Sequence, residues 1–117
     1  MTRNITLTIG TAVFAATLEE NPAADALLEM LPLTLDMNEL NGNEKYVYLP
    51  ESLPEKPYRP GTIQTGDLLL WGDNCVVLFY ETFASGYSYT RLGRIDNPEK
   101  LAETVGRGRI TVLWERK

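Results

Sequence analysis

The sequence predicts a mainly β domain in which about eight short strands close into a barrel. Three observations carry that expectation. Two apolar runs without a charge, Leu68–Trp71 and Cys75–Tyr80, flank Gly72-Asp73-Asn74, so both read as buried strands joined by a tight turn. Elsewhere apolar and polar residues alternate with period two in segments of strand length, bounded by Gly, Pro or Asn. There is no strand-helix-strand repeat of the kind that builds a parallel sheet, and closure removes the edges that so many short strands would leave open. A sandwich of the same strands is the alternative architecture. With 117 residues, of which 44% are hydrophobic, the chain has the size of one domain, 1–117, and can bury a core without disulfides.

Ile5, Leu7 and Ile9 alternate with Thr6 and Thr8 in a first strand, and Gly10-Thr11 permits a reversal into its partner, Thr11 to Leu18, with Phe14, Ala16 and Leu18 on one face. A helix follows. Asn21 suits its cap, Pro22 its first position, and Ala24, Leu27, Leu28 and Leu31 lie on one stripe before Pro32 stops it, which suits a plug for an edge or end of the sheet. Leu33, Leu35 and Met37 return to period two. Asn41-Gly42 then marks a turn, and Glu44–Leu49 runs back with Tyr46 and Tyr48 sharing a face, either a wet edge or a pocket wall.

Residues 50–65 carry Pro50, Pro54, Pro57 and Pro60, which bar a helix interior or a central strand; the expectation is a long loop, covering a barrel mouth or standing free as an arm. Beyond the central hairpin, Glu81–Tyr89 mixes small residues and Gly86 with large rings. Thr90–Ile95 resumes a strand in which Gly93 marks a bulge or a close backbone approach. Asn97-Pro98 repeats the pairing of Asn21-Pro22 and predicts a short helix through Thr104, and the last strand, Arg109 to Trp114, buries Ile110, Val112 and Trp114.

The formal net charge of -5 disfavours a nucleic-acid partner. It is unevenly spread: residues 19–55 hold nine acidic residues against Lys45 alone, whereas residues 56–117 hold nine basic and seven acidic ones. That split either orients a charged ligand or is a pair of well-solvated surfaces. No segment reaches the length of a membrane span, and Met1-Thr2-Arg3-Asn4 leads into the alternation without the apolar core of a signal peptide, so a cytoplasmic protein with no membrane partner is expected. Cys75, the one cysteine, sits inside an apolar run and reads as a small buried hydrophobe; linking two chains through it would require an exposed thiol.

The absence of histidine removes serine-histidine and cysteine-histidine chemistry and histidine-containing zinc sites. Ser85 and Ser88 lie in no nucleophile elbow, Asp67 and Asp73 follow glycines and have turn roles, and Gly61, Gly66 and Gly72 lack both the spacing and the lysine of a phosphate loop. No cofactor and no metal are expected.

The opening hairpin, the Asn21-Pro22 helix leading into Leu31-Pro32-Leu33-Thr34-Leu35, Gly66-Asp67 ahead of Leu68-Leu69-Leu70-Trp71, and Arg91-Leu92-Gly93-Arg94-Ile95 together resemble the small bacterial and archaeal proteins of the cyclophilin-like superfamily. The resemblance runs over nearly the whole chain. It implies a compact, cyclophilin-like eight-stranded β-barrel with helices closing its ends and a shallow pocket on its outer wall. It also implies that an arginine beside aromatic and apolar side chains would engage a proline-containing substrate, in company with glutamine, tryptophan and histidine. This chain has no histidine and lacks the phenylalanine-rich motifs of true cyclophilins. The fold without the activity is therefore the expectation, since function belongs to the site and not the scaffold.

The function ranked first is binding. A surface cleft lined by Trp71, Phe83, Tyr87, Tyr89 and Arg91, lidded by Tyr58 and Arg59, would take a small anionic molecule or a peptide, with Tyr87 and Arg91 ahead of Trp71 as contacts. The first alternative is a weak peptidyl-prolyl cis-trans isomerase acting on a proline-containing peptide, with Arg91 or Arg94 as donor and Phe79, Phe83, Tyr87 or Tyr89 shaping the slot. Because the two arginines lie three positions apart on a strand, they should face opposite sides unless a bulge intervenes. The second alternative is a homodimer built on the aromatic patch.

Overall fold

In the computed structural model, which describes residues 3–117, the strands β1 (Asn4–Ile9), β2 (Ala12–Leu18), β3 (Leu33–Leu40) and β4 (Glu44–Tyr48) precede the central hairpin of β6 (Asp67–Trp71) and β7 (Cys75–Phe79). Met1 and Thr2, which the sequence places ahead of the first strand, lie outside the described residues. Two short strands, β5 (Thr62–Ile63) and β8 (Phe83–Ala84), bracket that hairpin, and β9 (Thr90–Ile95) and β10 (Ile110–Arg116) complete the set. The helices are α1 (Pro22–Met30) and α2 (Leu101–Val105).

Eight strands close in the order β1-β10-β3-β4-β7-β6-β9-β2, every neighbouring pair antiparallel, as the alternation predicts. The inward rows supply the main core. Ile5, Leu7, Leu35, Met37, Leu68, Leu70, Val76, Leu78, Val112 and Trp114 are buried together, which is the burial on which a chain of this size depends. At one end α1 seals the barrel. Its cap is formed as expected, Asn21 Oδ1 accepting from Ala24 N at 2.8 Å, and Ala24, Leu27, Leu28 and Leu31 all enter the core. Leu49 and Leu53 close the same mouth, tied down through Leu49 N to Asn74 O at 2.7 Å and Leu53 N to Asp73 O at 2.6 Å.

The other end is closed by α2, whose Leu101 and Val105 are buried, and by the loop behind it. The expected helix start at Asn97-Pro98 is not used: Leu101 N donates to Pro98 O at 3.0 Å in a turn, and α2 begins only at Leu101. Pro98 packs instead over Gly66, where a Cβ would stand 3.0 Å from the proline Cβ. Lys45 points into this end and is fully buried. Its ammonium donates to Glu39 Oε1 at 2.9 Å, to Gly106 O at 2.9 Å and to Gly108 O. Glu39 also accepts from the Tyr80 hydroxyl at 2.7 Å and from Gly42 N at 2.7 Å, so the buried cation is fully partnered.

The proline-rich segment covers a barrel mouth with Leu53, as one of the two expected arrangements has it, and its later part is not a free arm. β5 pairs with β8 as a two-stranded ribbon, Tyr58 bridges to Tyr89, and the whole lies as a flap over the outer face of β6 and β7. Beneath it Ile63, Leu69, Cys75, Val77, Phe79 and Tyr89 form a second apolar cluster outside the barrel wall. This explains why β6 and β7 carry no polar face: one set of side chains fills the barrel and the other lies under the flap. Among the described residues, no helix is long and apolar enough to cross a membrane.

Candidate functional site

On the outer wall, strand pairing sets which side chains share a face. Tyr46 opposes Val77, Tyr48 opposes Cys75 and Trp71 opposes Cys75, so β4 and β6 raise aromatic walls on either side of β7, whose Val77 and Cys75 make the floor. From above, the flap adds Tyr87 and Tyr89. The result is a cleft of about 360 Å³ lined also by Leu40, Asn41 and Glu44. Trp71 meets Tyr87 edge to face, with ring centres 5.1 Å apart at 85°, and meets Tyr89 at 5.6 Å; Tyr46 and Tyr48 are likewise edge to face at 6.0 Å. Tyr89 is buried, but three of these rings are not packed away. Tyr48 is 61% exposed, Tyr87 62% and Trp71 41%, large values for aromatic side chains that have an apolar wall to lie against.

Glu44 stands at the end of the cleft beside Leu40. Burial, reinforced by the negative charge of Glu39, pushes its carboxyl up to about 7. Burial, with the Glu44 charge adding to it, also pushes the Cys75 thiol up to about 11. Cys75 is therefore a neutral thiol under the flap, without the thiolate that nucleophilic chemistry needs. Burial raises the Tyr89 phenol as well. Among the described residues, no three of Asp, Glu, Cys and His converge as a metal-donor group.

The side chains expected to share one cleft are divided between two. Trp71, Tyr87 and Tyr89 come together in the aromatic cleft. Tyr58 and Arg91 line a separate cavity of about 320 Å³ with Glu19, Glu20, Asn21, Lys56 and Pro57, where the Arg91 guanidinium stacks on the Tyr58 ring at 4.8 Å. Burial raises the Tyr58 phenol, partly offset by the Arg91 charge. Phe83 packs on Phe79 at 5.7 Å and anchors the flap. Arg59 is exposed on the flap, and Arg94 is an exposed partner of Asp67 at 4.0 Å, a contact of small energetic weight. A bulge does intervene in β9: Leu68 pairs with Gly93 but Leu69 with Arg91, so Leu92 is the extra residue and both arginines face outward.

Tyr46 and Tyr48 join the site as the pocket wall that their shared face allowed. Glu44 was not singled out from the sequence, although the same alternation, Glu44-Tyr46-Tyr48, places all three on one face.

Comparison with known proteins agrees with this architecture. The model of the Cyclophilin-like family matches residues 7–115. The solution structure of a hypothetical protein from Archaeoglobus fulgidus superposes with a TM-score of 0.64 at 19% identity, covering 99% of this chain and 95% of that one. No curated protein matches the chain at a significant level.

Proposed function

The chain belongs to the Cyclophilin-like family, and on that premise we propose that it is a binding domain that holds a small molecule or a short peptide in the aromatic cleft of its outer wall. One observation carries the proposal: five rings from three parts of the chain converge on one cleft, and three of them, Tyr48, Trp71 and Tyr87, are left open to solvent. Exposing Trp71, Tyr48 and Tyr87 forgoes burial of roughly 25 cal/mol per Å² of apolar surface, which a ligand would recover.

Turnover is not part of this proposal. Isomerisation asks for a donor beside the slot that takes the proline ring, and none of the described residues lining the cleft is an arginine or lysine. Arg91 is engaged with Tyr58 in the neighbouring cavity, which favours binding without catalysis.

Trp71 provides the test, because the other tryptophan, Trp114, is sealed inside the barrel. Titrating cationic, neutral and anionic metabolites and proline-containing peptides should produce a saturable change in Trp71 emission for at least one class, weakened in Tyr87→Ala. A protease-coupled assay should give no isomerisation above the uncatalysed rate. Silence of every class by fluorescence and calorimetry would overturn the proposal, and catalysis lost in Arg91→Ala would replace it with the isomerase. A dimer through the same wall would appear in sedimentation as mass that rises with concentration.

A further inference from the structure

The charge lining the cleft differs from what the arginine-rich strand β9 suggests. Glu44 is its one charged residue among those described, and no cation faces it. Lys45, next in the strand, points to the opposite side of the wall and is spent on Glu39 and two carbonyls inside the barrel. Lys56 and the β9 residue Arg91 lie in the other cavity. An anion placed among these rings would find no partner charge and would meet the electron-rich faces of tyrosine and tryptophan.

We infer that the cleft is a recognition site for an alkylated ammonium group, enclosed by Tyr46, Tyr48, Trp71, Tyr87 and Tyr89 and charge-paired with Glu44. This rests on the cleft being a binding site. Ring faces attract a weakly hydrated organic cation through their quadrupoles, and the methyl or methylene groups around the nitrogen bury against the same rings. A hard metal ion is the wrong occupant, because it requires several oxygen ligands and the cleft has one carboxylate. The edge-to-face contact of Trp71 with Tyr87, and that of Tyr46 with Tyr48, turns rings of each wall at near right angles, which is how a cage presents several faces to one centre.

The site also implies a pH response. Glu44 titrates near 7, raised by burial and by Glu39 on β3. The other titratable groups facing it are Cys75 on β7 and Tyr89 on the flap, both pushed upward and neutral in this range, together with Tyr46 on its own strand. A cation that pairs only with the ionised carboxylate must bind more weakly as pH falls through 7.

The probes are choline and its uncharged carbon isostere, 3,3-dimethyl-1-butanol, titrated calorimetrically into the full chain at matched ionic strength, with Trp71 emission followed in parallel. Choline should bind at least about tenfold more tightly than the isostere near pH 8, and lose about tenfold between pH 8 and pH 6. Glu44→Gln should abolish both the preference and the pH response while circular dichroism stays native, and Tyr87→Ala should weaken choline roughly three- to thirtyfold. Equal binding of choline and isostere in the wild type would overturn the cation assignment and leave the binding site intact. Choline without effect where an anion or peptide perturbs Trp71 would do the same. No response to any class would overturn the cation assignment and the binding proposal together.

Discussion

Tyr58 and Tyr89 exchange two backbone hydrogen bonds, Tyr58 N to Tyr89 O at 2.8 Å and Tyr89 N to Tyr58 O at 2.9 Å, yet their rings line different cavities. The bridge therefore partitions the outer wall. Arg91 and Lys56 stand on the Tyr58 side beside Glu19 and Glu20, and Glu44 on the Tyr89 side, so both lining cations lie across the bridge from Glu44.

Removing the two rings should have unequal effects. Tyr89 is buried against Leu69, Val77 and Phe79, whereas Tyr58 is half-buried at the edge of the same cluster. Tyr89→Ala should cost about 3 kcal/mol and Tyr58→Ala about half that in urea unfolding. Cleft ligands should be lost only in the Tyr89 variant, as read by Trp71 emission.

Gly93 should tolerate no side chain. A Cβ there would stand 2.4 Å from Thr17 O and 3.0 Å from Leu18 Cα, both backbone atoms of the paired strand β2. Gly93→Ala should therefore lower stability by about 3 kcal/mol or more, or prevent folding. Gly86→Ala is the control: nothing lies within 4 Å of its added methyl, and thermal unfolding should be within about 0.5 kcal/mol of wild type.

The barrel was legible in the sequence because its signals are local. Alternation in Ile5–Ile9 or Leu33–Met37 gives the inward row, and Asn41-Gly42 gives the turn, which the positive φ of both residues satisfies. The division of the site was not legible. It depends on Tyr58 meeting Tyr89 across the whole central hairpin and on β5 and β8, strands of two residues each that are too short to show a period. The extra residue Leu92 had a local marker in Gly93, but only pairing with β6 reveals that it brings Arg91 and Arg94 to the same face. The proline-asparagine pairing misplaced α2 because the same dipeptide serves helix starts and turns alike, and packing on Gly66 decides between them.

Lys45 should be difficult to replace. Lys45→Met would leave Gly106 O and Gly108 O without their donor and Glu39 without its counter-charge, a loss of about 3–5 kcal/mol in denaturant unfolding. Glu39 gives the matching pH signature. Burial works to raise its pKa, but the hydrogen bonds from Lys45, Tyr80 and Gly42 outweigh it and hold the carboxyl below 4.5. A depressed carboxylate contributes stability above its unfolded value and loses it as pH falls through the folded one. Wild type should lose stability below about pH 4.5 more steeply than Glu39→Gln, which is the weaker protein at neutral pH.

Glu44 should behave in the opposite sense. Its folded pKa, about 7, lies above the unfolded 4.5, so the native state holds a proton that the unfolded chain has already released. Stability attached to this group is complete below about pH 4.5 and declines as pH rises toward 7, because ionising the carboxyl sets it against burial and against Glu39. Glu44→Gln mimics the protonated form. It should match wild type near pH 4.5 and exceed it near pH 8, by about 1 kcal/mol once solvent screening at this half-buried site is allowed for. Thermal unfolding of both proteins at the two pH values measures the difference directly. A variant less stable than wild type at pH 8 would mean that a partner on the cleft wall, and not the burden of burial, governs the ionised carboxylate. Since a side chain that costs stability at neutral pH persists most readily where it contacts a ligand, the sign of this difference bears on why an acidic group stands among five rings.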